Sequence, residues 1–404
     1  MSVVAGKTVS TAEPSERTAN SPWNGSMDPI AIRDEMPALE NGVYCNWGAG
    51  GPSPRRVVEA GEAALEHHEY DAPRGDGMYA AALEGFEEAR TAVADLLGAA
   101  PTEIALTEST TDGINRVASA LSWDETDVVV RTDLEHAAGI LPWQRLERER
   151  GIDVRVLETT AGRLDLEDVK AVASEATLFC VSSLTWSHGT RLPIADLVDV
   201  AHDEDALVLV DAVQEPGQVP VDVEEWGADF VVGAGHKWLC GPFGSGFLYV
   251  REGVESGLAP ASIGYRSVQD ATAAEYVYAP GAARFEVGTS SPTPYAGLRE
   301  AIELIEAIGV ERIERRIESL TNRFKAGVTD ERLLSPREFE SGLVTVTADD
   351  PEATVERLAE NEIVVRSLPY PEAVRVSLHA FNTEDDVDAV LEALEDEPSS
   401  GNRA

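Results

Sequence analysis

Four lysines occur in the 404 residues, Lys7, Lys170, Lys237 and Lys325, and one of them stands where a packing residue is expected. Lys237 follows His236 and the small pair Ala234-Gly235 at the end of the apolar run DFVVGAG (229–235). Desolvating an ammonium is costly, so a lysine at the end of a buried strand is kept for chemistry. Asp211 and Gln214 come directly after LVLV, where an aspartate could hold a metal, a ribose hydroxyl or a protonated ring nitrogen. Glu135-His136 come just after DVVVRTD (127–133), and TESTTDG (107–113) closes a strand-like run where a helix should start. In that last string, backbone amides, the hydroxyls of Thr110 and Thr111 and the positive end of the helix dipole make a cradle for phosphate. Each piece also has a plainer reading by itself: TESTTDG as a Ser/Thr cap, His136 as a cap or surface histidine.

Taken together the pieces select one chemistry. A phosphate cradle, an acid beside a pyridine nitrogen, an aromatic ring to stack and a lysine to form a Schiff base are the parts that pyridoxal 5'-phosphate requires. The aspartate charge keeps the ring nitrogen protonated, which makes the ring an electron sink. Other cofactors fit worse: GAGHKW lacks the third glycine of a dinucleotide fingerprint, and no GK[ST] phosphate loop occurs. The histidines lack zinc-ligand spacing, so no metal is expected.

These residues need strands to bring them to one edge. EIALTES (103–109), DVVVRTD, DVRVLE (153–158), TLFCVSS (177–183), LVLVDAV (207–213), DFVVGAG and GSGFLYV (244–250) are near-continuous apolar runs separated by helical patterns. That alternation predicts an α/β fold: a large, mostly parallel sheet covered by helices on both faces, with functional groups at the carboxyl ends of its strands. The short spacing of the last two runs predicts a hairpin-like return. Helices are expected near Pro54, over Tyr79–Leu97, from Thr111 and from His136. Beyond Gly281 the pattern changes to helices at Pro294–Ile308 and Val310–Val328, short strands at Gly342–Val346, Ile363–Val365 and Ala373–Leu378, and a terminal helix at Thr383–Leu394. The expected division is a polar tail (1–26), a large cofactor-binding domain (27–283, its first residues 27–50 packing near the smaller domain), a small α+β domain (284–395) and a second tail (396–404).

Composition sets the surroundings. With 73 acidic against 32 basic residues the formal charge is -41, which argues against nucleic acid and anionic membranes as partners. Such a surface suits a salt-rich cytosol, where mobile cations screen crowded carboxylates. The regular apolar runs exclude disorder as the reason for the charge. Cys45, Cys180 and Cys240 form no Cys-x-x-Cys pair and no disulfide framework. With no signal-like or membrane-length apolar run, a cytoplasmic protein is expected.

In these strings the chain resembles the class V aminotransferase family of fold-type-I pyridoxal phosphate enzymes, which includes the cysteine desulfurases; the likeness covers roughly residues 40–395. The resemblance implies that Lys237 in GHK bonds the cofactor and shuttles the substrate α-proton. His236 and Thr110 would contact the phosphate, Asp211 in VDAVQ the pyridine nitrogen and Gln214 the phenolic oxygen. His136 in LEHAAGILPWQ would stack on the ring. Thr289 in RFEVGTSS (284–291) would reach the phosphate of a neighbouring subunit, implying a homodimer with shared sites. Arg375 in VRVSLHAFNT, by itself a plain strand charge, would pair with the substrate carboxylate, a task that suits a bidentate guanidinium.

Departures from the family pattern bear on the reaction. Cysteine desulfurases carry a nucleophilic cysteine between the Val-Arg and the carboxylate-binding arginine, but here that interval is IVVRSLPYPEAVRVS (363–377), short and cysteine-free. Ala234 replaces a serine that contacts phosphate, and SSLTWSHGTRLPI (182–194) lacks the usual asparagine, with Ser187 or His188 as possible substitutes. Its Trp-x-x-Gly-x-x-Leu-Pro arrangement, with GHKWLCGP, is similar to cysteine/cystine C–S lyases and to the isopenicillin-N epimerase-like branch. Cys240 reads as a small buried thiol. The expected activity is β-elimination on cysteine or cystine without a persulfide cysteine. The alternatives are amino-group transfer to a 2-oxo acid, epimerisation, or a non-catalytic cofactor-binding scaffold.

Overall fold

The computed structural model describes residues 27–395. The tails expected at 1–26 and 396–404 lie outside the described residues. Twelve strands occur among the described residues: β1 (Val43–Tyr44), β2 (Ile104–Thr107), β3 (Val128–Thr132), β4 (Asp153–Leu157), β5 (Leu178–Ser182), β6 (Leu207–Asp211), β7 (Phe230–Ala234), β8 (Gly246–Val250), β9 (Leu343–Val346), β10 (Ile363–Val364), β11 (Arg366–Pro369) and β12 (Glu372–Ser377). Seven make the main sheet, in the order β2-β8-β7-β6-β5-β3-β4. Pairs from β4 to β7 are parallel, and β8 runs antiparallel to both β7 and β2. The short connection after Lys237 is therefore the expected return.

Strand residues divide between two apolar layers because successive side chains point to opposite faces. Val130, Val181, Val210 and Val231 join one layer with the helices Met78–Leu97 and Thr293–Ile308. Val129, Cys180, Leu209 and Val232 join the other with the helices Thr110–Ala120 and Leu141–Arg150. A sheet covered on both faces leaves its strand ends as the open edge, and there β2, β3, β5, β6 and β7 deliver their loops.

β11, β12 and β9 form a second, antiparallel sheet packed against the helices Val310–Ala326, Pro351–Glu360 and Glu384–Glu395. β1 pairs with β10 in parallel, Val43 opposite Ile363, so the chain before the first long helix lies against residues far away in sequence. Asn382 fixes this join: its amide donates to Tyr44 O and its Oδ1 accepts from Trp47 Nε1 at 2.9 Å.

Two expectations need correction. No helix starts at His136; its Nδ1 instead accepts from the Ala138 amide to cap a single 3₁₀ turn, Ala137–Gly139, and the helix begins at Leu141. Pro142 has no amide to continue a ladder from His136, but it sits well in the first turn of a new helix. The interval 363–377 holds β11 as well as the two expected strands, and the helix Pro351–Glu360, capped by Asp350, was absent from the sequence reading.

Candidate active site

The strand ends enclose a cavity lined by Thr110, Thr111, His136, Asp211, Gln214, His236, Lys237 and Arg375, eight of the nine residues expected from sequence. Ser109 caps the helix Thr110–Ala120 by accepting from the Asp112 amide at 3.2 Å, and it lines the same wall. Asp211 is buried at the end of β6, with Oδ1 accepting from the Val213 amide at 3.0 Å. Gln214 is held twice: Oε1 accepts from Trp238 Nε1 at 2.8 Å and Nε2 donates to Gly48 O at 3.0 Å. The indole can only donate, which fixes the amide orientation and leaves one Nε2 hydrogen free. His136 meets the edge of Trp186 at right angles, with ring centroids 5.9 Å apart.

The N-terminal loop closes the cavity from above. The Gly51 amide donates to His236 O at 2.8 Å, and a Cβ on Gly48 would sit 3.1 Å from Arg375 Nη2. A Cβ on Gly51 would run into the Lys237 carbonyl oxygen and one on Gly48 would meet Leu343 Cδ2 at 2.5 Å, so both positions suit glycine. Arg375 is buried on β12, donates from Nη1 to Trp186 O at 2.8 Å, and leaves Nε and Nη2 unpartnered. Directly across the β11–β12 pair stands Arg366, which also lines the cavity.

Charge is unevenly placed here. Burial lowers the pKa of Lys237 to about 8; Asp211 opposes that drop, and Arg375 and Arg366 reinforce it. Burial raises the pKa of Asp211, while Lys237 pulls it down. His236 falls to about 4 through burial and Lys237, so its imidazole is neutral and offers an N–H donor. His136 is lowered too, by burial and then Lys237. Because its Nδ1 accepts from Ala138, neutral His136 carries its hydrogen on Nε2. Burial and Arg366 lower Arg375 to about 9, which leaves it charged at neutral pH.

The ninth residue, Thr289, lies outside the cavity of its own chain. It is exposed, its hydroxyl 2.8 Å from Tyr265 Oη, in a recess with Arg116, Arg266 and Tyr295. Glu286 anchors this segment by accepting from Arg90 Nη1 and from the Leu106 amide.

The family model for aminotransferase class-V matches residues 43–390. The chain belongs to this family. A probable cysteine desulfurase of Methanothermobacter thermautotrophicus is 33% identical over 391 residues, 90% of this chain and 97% of that one. The apo cysteine desulfurase of Thermococcus onnurineus NA1 superposes with a TM-score of 0.85 at 30% identity, covering 91% of this chain and 98% of that one. The cystine C–S lyase C-DES, solved with its product cysteine persulfide, superposes with a TM-score of 0.83 at 28% identity over 89% of this chain and 99% of that one. A mutant of C-DES with glycine covalently linked to the PLP cofactor gives 0.84 at 28%, over 90% and 99%.

As a member of this family the chain is a pyridoxal phosphate-dependent enzyme, and the cavity chemistry fits that cofactor. The Thr110 hydroxyl is buried without a partner at a helix N-terminus, where an anion would satisfy it. Ala234 does not line the cavity, and Ser109 supplies a hydroxyl on the cradle side instead. The wall also holds residues not expected there, among them Arg366, Ser182 and Trp186. Trp186, three residues before Gly189, lines the wall, whereas Ser187 is turned to His188 Nδ1 at 2.9 Å. Arg366 and Leu368 share one strand face yet one is exposed and the other buried, so no period-two pattern marked β11, and its register against β12 was not readable either.

Proposed function

We propose that this enzyme cleaves the Cβ–S bond of cysteine or cystine by β-elimination, without a persulfide-forming cysteine of its own. One observation carries the second half: no thiol lines the cavity. Cys45, Cys180 and Cys240 are all buried, and burial raises each thiol well above its ordinary range. Where a desulfurase would extend a cysteine loop, β11 and β12 are instead zipped from Arg366–Arg375 to Pro369–Glu372.

Bound pyridoxal phosphate supplies an aldehyde carbon for amines and a protonated ring that withdraws electrons from the α-carbon. Thr110, Ser109 and neutral His236 would hold its phosphate, Asp211 the proton on its ring nitrogen, Gln214 its phenolic oxygen, and His136 one ring face. Lys237 would attach to it through Nζ. Arg375 presents Nε and Nη2 to the substrate α-carboxylate, which fixes Cα relative to Lys237. Once the substrate amine displaces it, Lys237 is a free amine again, and with its pKa near 8 it has a populated neutral form that can take the α-proton. Expulsion of the sulfur group then balances as cysteine plus water giving pyruvate, ammonia and hydrogen sulfide.

The deciding experiment supplies cysteine, cystine and an amino-acid panel, with and without a 2-oxo acid. Pyruvate formed without acceptor supports elimination. Product that depends on the 2-oxo acid establishes amino transfer and overturns it, and so does inversion at Cα without pyruvate. An absorbance spectrum unmoved by every amino acid leaves only a cofactor-binding scaffold.

A further inference from the structure

Glu135 precedes His136 and has no part in the chemistry above, yet it is 4% exposed and its carboxylate accepts three hydrogen bonds. Oε1 accepts from the Thr132 hydroxyl at 2.7 Å and from the Ser182 amide at 3.1 Å, and Oε2 accepts from the Ser182 hydroxyl at 2.7 Å. The Leu134 amide donates to Thr132 Oγ1 at 3.2 Å, which commits the threonine hydrogen to the carboxylate. Ser182 stands in register with Asp211 on the next strand. The turn after His136 closes over the same group: a Cβ on Gly139 would lie 3.5 Å from Glu135 Oε2. One carboxylate therefore joins the end of β3, the His136 turn and the end of β5.

We propose that Glu135 is a positioning residue that clamps His136 to the strand end beside Asp211, setting how tightly and at what tilt the cofactor ring is held between them. This rests on the reading that His136 and Asp211 contact that ring. The groups facing Glu135 are the hydroxyls of Thr132 and Ser182, with Asp211 from β6 and the Cys180 thiol from β5 acting on it through space. A neutral group at this position keeps the same contacts by donating to Ser182 Oγ. Glu135→Gln therefore preserves the clamp and removes only the charge, whereas Glu135→Ala removes both.

The test is equilibrium dialysis of apo-protein against pyridoxal phosphate, with induced circular dichroism in the cofactor band as a second readout. Glu135→Ala is expected to weaken cofactor binding on the order of tenfold and to change the induced band, with Glu135→Gln restoring both. Thr132→Val, which deletes one donor, should lose less in the same direction, and it serves if the alanine protein does not fold. An alanine protein matching wild type overturns the clamp, as does a glutamine protein damaged equally, or a valine protein unaffected where the alanine protein cannot be made. Wild type and Asp211→Asn run alongside. If wild type shows no Lys237-dependent band, or Asp211→Asn leaves the band unchanged, the cofactor-site reading fails. Normal controls with an unaffected Glu135→Ala protein sink only the clamp.

Discussion

Lys237 and Glu135 are pushed in opposite directions by the same burial, and each gives a pH signature. The lysine, lowered to about 8 from 10.5, needs its free amine to bond the cofactor. The rate of reconstitution of apo-protein should therefore rise with pH through about 8 and level off above it; a rate still climbing past 10 would reject the lowered value. Glu135 is raised to about 7 from 4.5, chiefly by burial. Below 4.5 the folded and unfolded chains both hold this proton, and above 7 both have lost it while the folded state bears a buried charge. The wild type thus loses stability from this group as pH rises through that window. The thermal midpoint of apo Glu135→Gln should pull ahead of wild type across the window, and a constant gap would contradict the shift. For Arg375→Lys, loss of the two-pronged contact should cut kcat/KM on the order of 10²-fold, mostly through KM. These residues were legible because each sits in a short string next to a strand. Arg366 was not, since only the β11–β12 register places it opposite Arg375.

Elements, more than single residues, decide what this site can do. The loop at 46–51 is stitched to the lysine turn, and a Cβ on Gly51 would fall within the Lys237 carbonyl oxygen. Gly51→Ala should force that turn to shift, costing about 1–3 kcal/mol in stability and weakening cofactor retention. Retention unchanged in the alanine protein would show that the loop yields instead. On the proposed reaction, the β11–β12 hairpin is the element that would set this chain apart from a persulfide mechanism, and it was half visible: the absence of cysteine could be read, the strand pairing could not. The seven strands of the main sheet were legible as apolar runs of similar length, but their order and the antiparallel pairing of β8 with β2 were not. What escaped were elements defined by distant partners, such as β1 against β10, and the broken helix after His136, where a proline acts six residues beyond the apparent start.

At the scale of the whole molecule, charge and assembly are the open properties. A surface carrying -41 should gain stability from salt, because screening shortens from roughly 10 Å at 0.1 M to 3 Å at 1 M. The unfolding midpoint should climb over that range, and a flat response would remove the high-salt interpretation. Thr289, exposed and outside its own cavity, fits the proposal of a homodimer in which each subunit completes the other's phosphate site. Mixing inactive Lys237→Ala with weakened Thr289→Val subunits should then regenerate one native site per hybrid; no recovery after proven subunit exchange would count against sharing. No described helix is long and apolar enough to cross a membrane. The indole of Trp186 lines the cavity wall, and that of Trp238 is hydrogen bonded to Gln214. Both are intrinsic fluorophores beside a cofactor that absorbs where they emit. Occupancy of the site should be readable as energy transfer from tryptophan, so the protein reports its own loading without a label.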